Sequence, residues 1–126
     1  MRLAILKERA AFETRVAATP ETVKKLAALG LAIAIETGAG LASAISDDQY
    51  REAGAEIAPD PAAALAGAAI VFAVQMPAEA ERALIPRGAL LVCIANAFAT
   101  PEVVPALAAA GIEIPFPTQL HLQRQA

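Results

Sequence analysis

The 126 residues predict an α/β protein built on an open parallel sheet with helices on both faces. Three observations carry that reading. Short apolar runs alternate with capped helical stretches, the pattern of βαβ units with right-handed crossovers. The apolar runs are continuous rather than alternating, as in strands covered on both faces. Cap-plus-proline helix starts recur, and the helices close at glycines.

The elements follow in order. Leu3–Leu6 reads as a short strand, and a long loop from Lys7 to Ala18 comes after it. Thr19-Pro20 starts a helix, with Thr as the cap and Pro where its missing N–H costs nothing. Val23, Leu26 and Ala27 form its apolar stripe, and Gly30 stops it. Leu31–Glu36 is the second strand, leading into Thr37-Gly38-Ala39-Gly40. Ser46-Asp47-Asp48-Gln49 fits a capping box, and Gly54 closes that helix. Ala55–Ala58 is a short strand, Asp60-Pro61 opens a helix that stops at Gly67, and Ile70–Val74 is the most β-like run. Ala78–Leu84 forms a short helix and Ala89–Ala95 a buried strand. Thr100-Pro101 opens a last helix, kinked at Pro105 and ending at Gly111, before a final strand at Ile112–Ile114.

Composition narrows the function classes. The length suits one domain at the usual ~100–200 residues. Hydrophobic residues make up 57% and charged ones 18%, enough for a real core. Aromatics are only 4%, so the core must be built from Ala, Val, Ile and Leu in closely approaching elements. A net charge of −3 speaks against nucleic acid as the main partner. Mean hydropathy is +0.52, and Pro61 to Ala78 carries no charge over a nominal spanning length. That run divides into a helix-like and a strand-like half, so it reads as two buried elements. The apolar stretch in the opening MRLAILKER is too short for a signal peptide, and a cytoplasmic location is expected.

Cys93 is the only cysteine and His121 the only histidine, so neither a thiolate nor a histidine metal cluster is expected. Cys93, between Val92 and Ile94, reads as a buried inert thiol, and His121 as a solvated residue of the tail. Asp47 and Asp48 read as first-turn residues favoured by the helix dipole. Gly38-Ala39-Gly40-Leu41-Ala42-Ser43 resembles a dinucleotide fingerprint after a strand. The next helix begins only at Ser46, however, so a plain turn is the favoured reading.

In an open parallel sheet, ligands bind beyond the carboxyl ends of the strands. The residues placed there are Lys7, Glu8 and Arg9, with Glu13 and Arg15 further into the loop; then Thr37 and its glycines; then Gln75, Met76 and Pro77; then Asn96, Ala97 and Phe98. Arg15 suits bidentate capture of a carboxylate or phosphate, or else is an exposed arginine paired with Glu13 or Glu8.

The segments Arg2-Leu3-Ala4-Ile5-Leu6-Lys7-Glu8-Arg9, Glu13-Thr14-Arg15-Val16-Ala17-Ala18-Thr19-Pro20 with Val23, Glu36-Thr37-Gly38-Ala39-Gly40 and Ala53-Gly54-Ala55 carry a resemblance. Residues 1–114 are similar to the N-terminal domain shared by alanine dehydrogenases and the alpha subunit of proton-translocating NAD(P) transhydrogenases. The resemblance implies a Rossmann-like (flavodoxin-like) domain, incomplete here, that packs beside an NAD-binding domain with its own fingerprint. Residues 115–126 form a divergent tail, in which Arg124 and Gln125 echo a segment contacting nicotinamide.

Two positions choose between the branches. Alanine dehydrogenases have a catalytic Lys where this chain places Gln75 and a catalytic His where it has Asn96. Reversible amination of pyruvate needs a cation and a proton donor at those places, and neither Gln nor Asn titrates near neutral pH. The resemblance therefore implies a transhydrogenase alpha subunit that contributes to hydride transfer between NAD(H) and NADP(H) coupled to proton translocation. Lys7, Arg15, Gln75 and Asn96 would line the cleft opposite the nicotinamide end. The implied partners are the remaining alpha-subunit domain and a membrane beta subunit, in a homodimer or other oligomer, with the assembled subunit peripheral to the inner membrane. NAD(H) and NADP(H) are substrates of the complete complex, no metal is implied, and the isolated chain is expected to be inactive. Two alternatives stand beside this: a stand-alone or vestigial interaction domain, and an alanine dehydrogenase-like fragment.

Overall fold

Five parallel strands in the order β3-β2-β1-β4-β5 form a single sheet in the computed structural model. The residues described are 1–10, 12–94, 109 and 111. The strands are β1 (Arg2–Ile5), β2 (Ala32–Glu36), β3 (Glu56–Ala58), β4 (Ile70–Gln75) and β5 (Leu90–Ile94). The helices between them are α1 (Pro20–Ala28), α2 (Asp47–Glu52), α3 (Pro61–Leu65) and α4 (Glu79–Arg82). Asn96, the start of the last helix at Thr100-Pro101 with Pro105, the Ile112–Ile114 strand, His121, Arg124 and Gln125 all lie outside the described residues.

β1 is central, and its sequence shows why. Leu3 and Ile5 face one core cluster while Ala4 and Leu6 face the other. A strand apolar at every position has no face to offer water, so it is driven to the middle of the sheet. The chain first lays β2 and β3 on one side of β1, then returns through α3 to place β4 and β5 on the other. With crossovers of one hand, that reversal moves the later helices to the opposite face. The clusters follow this partition. Val23 of α1 and Tyr50 of α2 bury into one, whereas Ala64 and Leu65 of α3 bury into the other. Six of the twelve buried residues in the α3 cluster are alanines, and such thin side chains let a helix of only five residues lie close against the sheet.

Local signals explain the boundaries. Thr19 caps α1 by accepting from the Thr22 N–H at 3.3 Å, with Pro20 at the first helical position. Gly30 follows with φ +93°, a left-handed conformation that costs an L side chain but not glycine. Ser46 and Gln49 close both bonds of the capping box on α2, and Asp60 accepts from the Ala63 N–H at 2.7 Å to cap α3.

The differences from expectation are small and physical. β1 runs Arg2–Ile5 rather than Leu3–Leu6, because the Arg2 backbone pairs opposite Ala32 while its side chain reaches out to Glu56 and the Ala63 carbonyl. α4 is shorter than Ala78–Leu84. Gln75 is the last residue of β4 rather than the first after it. Among the described residues no helix is long and apolar enough to cross a membrane.

Candidate functional site

The chain reverses its direction across the sheet between β1 and β4, and in such sheets the crevice at that point is where ligands bind. A cleft of about 240 Å³ opens there, between the Lys7–Ala10 loop and the Gln75–Ala78 segment. A second, of about 400 Å³, lies beside it between Arg15 to Ala17 and the strands β4 and β5.

Two sets of charges build this rim. In the first, Arg9 joins the ends of three elements. Its guanidinium donates to Glu36 at the end of β2, to Glu81 of α4 at 2.8 Å, and to the Lys7 carbonyl at 2.9 Å. Glu36 also accepts the Lys7 backbone N–H at 3.0 Å. Both carboxylates are nearly inaccessible, and ionised groups survive such burial only when paired and hydrogen-bonded. The Glu36 carboxylate, chiefly, raises the Arg9 guanidinium above its already high value. Glu81 has a second task, since its other oxygen accepts the Ala78 N–H at 3.2 Å and fixes the start of α4.

The second set surrounds Gln75. β4 and β5 pair Phe72 with Val92 and then Gln75 with Ile94, so β4 carries one extra residue between those pairs. This is a bulge, which kinks a strand and re-aims its side chains. Pairing with β1 stops at Ile5 and Phe72, which leaves the following β4 amides to find another acceptor. Glu8 supplies it: its two carboxylate oxygens accept the N–H groups of Val74 at 2.8 Å and Gln75 at 2.9 Å. The Gln75 side chain then donates Nε2–H to Glu13 at 2.8 Å. Glu13 also binds Arg15 through Nε and Nη2, both at 2.8 Å, and through the Arg15 backbone N–H at 2.9 Å. These contacts, Arg15 first and Gln75 second, hold the Glu13 carboxyl down at about 2.

Of the residues singled out from sequence, Arg15 and Gln75 are therefore brought together, with Glu13 between them. Lys7 lies on the same rim with its Nζ over the Gly38 turn. Asn96 lies outside the described residues. Arg15 takes up the pairing with Glu13 foreseen as one of its two readings. Sequence reasoning named Arg9 only as a loop residue and missed Glu81. A glutamate three residues into a helix was the available signal, because such a residue reaches back to the capping N–H.

The glycine turn after β2 is a turn and not a phosphate cradle. The N–H of Gly38 goes to Asp47 at 2.9 Å, and those of Ala39, Leu41 and Ser43 go to carbonyls within the loop. These four amides are engaged within the fold and are not free to cradle a pyrophosphate. The Thr37 hydroxyl, with the Gly38 amide, holds Asp47 below its usual range, so that carboxylate serves the loop. Cys93 is buried, and burial pushes its thiol up to about 12, which leaves no thiolate nucleophile at neutral pH. Among the described residues no three of His, Cys, Asp and Glu stand close enough to share a metal ion.

The sequence model of the family described as "Alanine dehydrogenase/PNT, N-terminal domain" matches residues 4–115. This chain belongs to that family. Relatives from both branches agree. The chain is 46% identical over 112 residues to an NAD(P) transhydrogenase subunit alpha polypeptide of Rhodospirillum rubrum, a match covering 85% of this chain and 29% of that protein. It is 36% identical to the alanine dehydrogenase of Bacillus subtilis, covering 89% of this chain and 29% of that enzyme. Among solved structures, the Sinorhizobium meliloti transhydrogenase superposes with a TM-score of 0.86 at 35% identity, over 90% of this chain and 34% of that one. An L-alanine dehydrogenase superposes at 0.84 with 28% identity, over 94% of this chain and 34% of that one. The sheet is thus the Rossmann-like domain of this family, and the chain spans about three-tenths of the length of these two curated relatives.

Proposed function

We propose that this chain is the N-terminal domain of an NAD(P) transhydrogenase alpha subunit, with residues 1–114 forming the domain and 115–126 a divergent tail. The observation that carries the proposal is Gln75, an uncharged residue fixed at the switch-point cleft by Glu8 and Glu13. Hydride transfer from NADH to NADP⁺ moves two electrons and one hydrogen between nicotinamide rings and releases no proton at the reacting atoms. The surrounding protein must then align the rings and keep water out, and it needs no acid or base at the site. Amination of pyruvate does need proton donors, which Gln75 and Asn96 cannot be near neutral pH.

On this reading Lys7, Arg15, Gln75 and Asn96 line the face opposite the nicotinamide end. The dinucleotide is held by a separate domain, in keeping with a turn after β2 whose Gly38, Ala39 and Leu41 amides are already used. NAD(H) and NADP(H) are the substrates of the complete complex, whose membrane beta subunit couples the transfer to proton movement. This chain sits on the cytoplasmic side, peripheral to the membrane.

Titrating NADH into the chain, with and without a transhydrogenase NAD-binding domain supplied in trans, tests the division of labour. The expected result is no tight binding by the chain alone and a clear change in NADH affinity or fluorescence when both are present. Tight binding by the short chain would put the cofactor on the wrong domain and overturn the proposal.

A further inference from the structure

We infer that Glu8 and Glu13 are positioning residues that present the Gln75 amide oxygen to the cleft, so that the rim accepts an uncharged hydrogen-bond donor and rejects a carboxylate. The ligand class is a primary carboxamide, a choice that rests on the nicotinamide reading above; the orientation of Gln75 does not.

Glu8 takes the N–H groups of Val74 and Gln75 beyond the point where pairing with β1 ends, and so fixes the height and direction from which the Gln75 side chain leaves β4. Glu13 then fixes the amide. An ionised carboxylate only accepts hydrogen bonds, and Glu13 stays ionised far below neutral pH. Gln75 must therefore turn its NH₂ toward Glu13, since the flipped amide would set two acceptor oxygens against each other at 2.8 Å. The carbonyl oxygen faces the opposite way, and among the described residues nothing donates to it. Gln75 lines the 240 Å³ cleft, whereas Arg15 belongs to the neighbouring one.

The charges beside it agree. Arg15 is engaged by Glu13 through two nitrogens, and Arg9 is shared between Glu36 and Glu81. The two arginines that a carboxylate would seek are already committed, and Lys7, the remaining cation lining this cleft, holds its Nζ over the Gly38 turn rather than beside Gln75. A ligand carboxylate at Gln75 would meet another oxygen, while a carboxamide NH₂ would find an acceptor without displacing any existing bond.

Nicotinamide and nicotinate share a ring and differ in this group, so they are the probes. The ¹⁵N-labelled chain is titrated with each at pH 7, following the side-chain NH₂ and backbone amide of Gln75. Nicotinamide is expected to shift these signals at concentrations at least about fivefold lower than nicotinate does. Glu13→Gln, which can both donate and accept, should erase that preference. Glu8→Gln should speed hydrogen exchange at Val74 and Gln75 while leaving Leu3 to Ile5 protected, an effect that a general loss of stability would not confine to two amides. Equal or tighter binding of nicotinate, or no response to either probe in the wild-type chain, overturns the inference whether or not the variants fold. Hydride transfer is read separately, so transhydrogenation without a carboxamide preference would sink this inference and leave the proposed function standing.

Discussion

Glu13 is the residue on which the rim's pH behaviour turns. Its carboxyl sits at about 2 in the folded chain against an ordinary 4.5, because Arg15 and then Gln75 stabilise the ionised form. A depressed value means that the stabilisation is fully present above the unfolded value and is lost as pH falls through the folded one. Glu13→Gln should therefore lower the urea midpoint by a constant amount near neutral pH. That deficit should shrink between pH 4.5 and about 2 and vanish below, as read from denaturation curves at stepped pH. A deficit independent of pH across that window would mean that Glu13 acts by shape and not by charge.

At the scale of elements, the turn between β2 and α2 shows why a glycine can be required without an unusual backbone. Gly40 has φ −96°, which any residue adopts, yet a Cβ there would meet the Ile45 Cβ and Tyr50 Cε2 at 2.8 Å. Tyr50 cannot retreat, since it is fully buried with its hydroxyl donating to the Ala18 carbonyl at 2.7 Å. Gly40→Ala should thus cost about 1–3 kcal/mol by overpacking, read as a lower thermal midpoint. This requirement was not legible in the sequence, where Gly40 looks like part of a loop fingerprint. What was legible is local. Thr19-Pro20, the Ser46 box and Asp60-Pro61 each act within three or four residues, so their helices could be placed from the chain alone. The β4 bulge was not, because it exists only in register with β5, and Gln75 accordingly ends a strand that the sequence closes at Val74.

For the whole molecule, the Arg9 cluster is the tie that sequence could least foresee. It joins residues 27 and 72 positions apart, and no short-range pattern announces such a pairing. The cluster locks the loop after β1 to the end of β2 and to α4, and so sets the walls of the cleft. Arg9→Met would leave Glu36 and Glu81 buried without their cation. Because Arg9 itself is 40% exposed, solvent screens part of the loss, and a destabilisation of about 2 kcal/mol is expected from chemical denaturation. The alternation of strands and helices, by contrast, was readable from end to end of the described residues. The same holds for the carboxyl rim, because parallel strands bring the residues that follow them to one edge whatever their separation in sequence.

The most direct test of the proposed function joins this chain to a transhydrogenase NAD-binding domain and an NADP(H)-binding partner and follows the fate of the NADH hydride. Hydride transfer to an NADP⁺ analogue is expected, with no NADH oxidation driven by pyruvate and ammonium. Pyruvate-dependent oxidation that yields alanine, without transfer between nucleotides, would contradict that function.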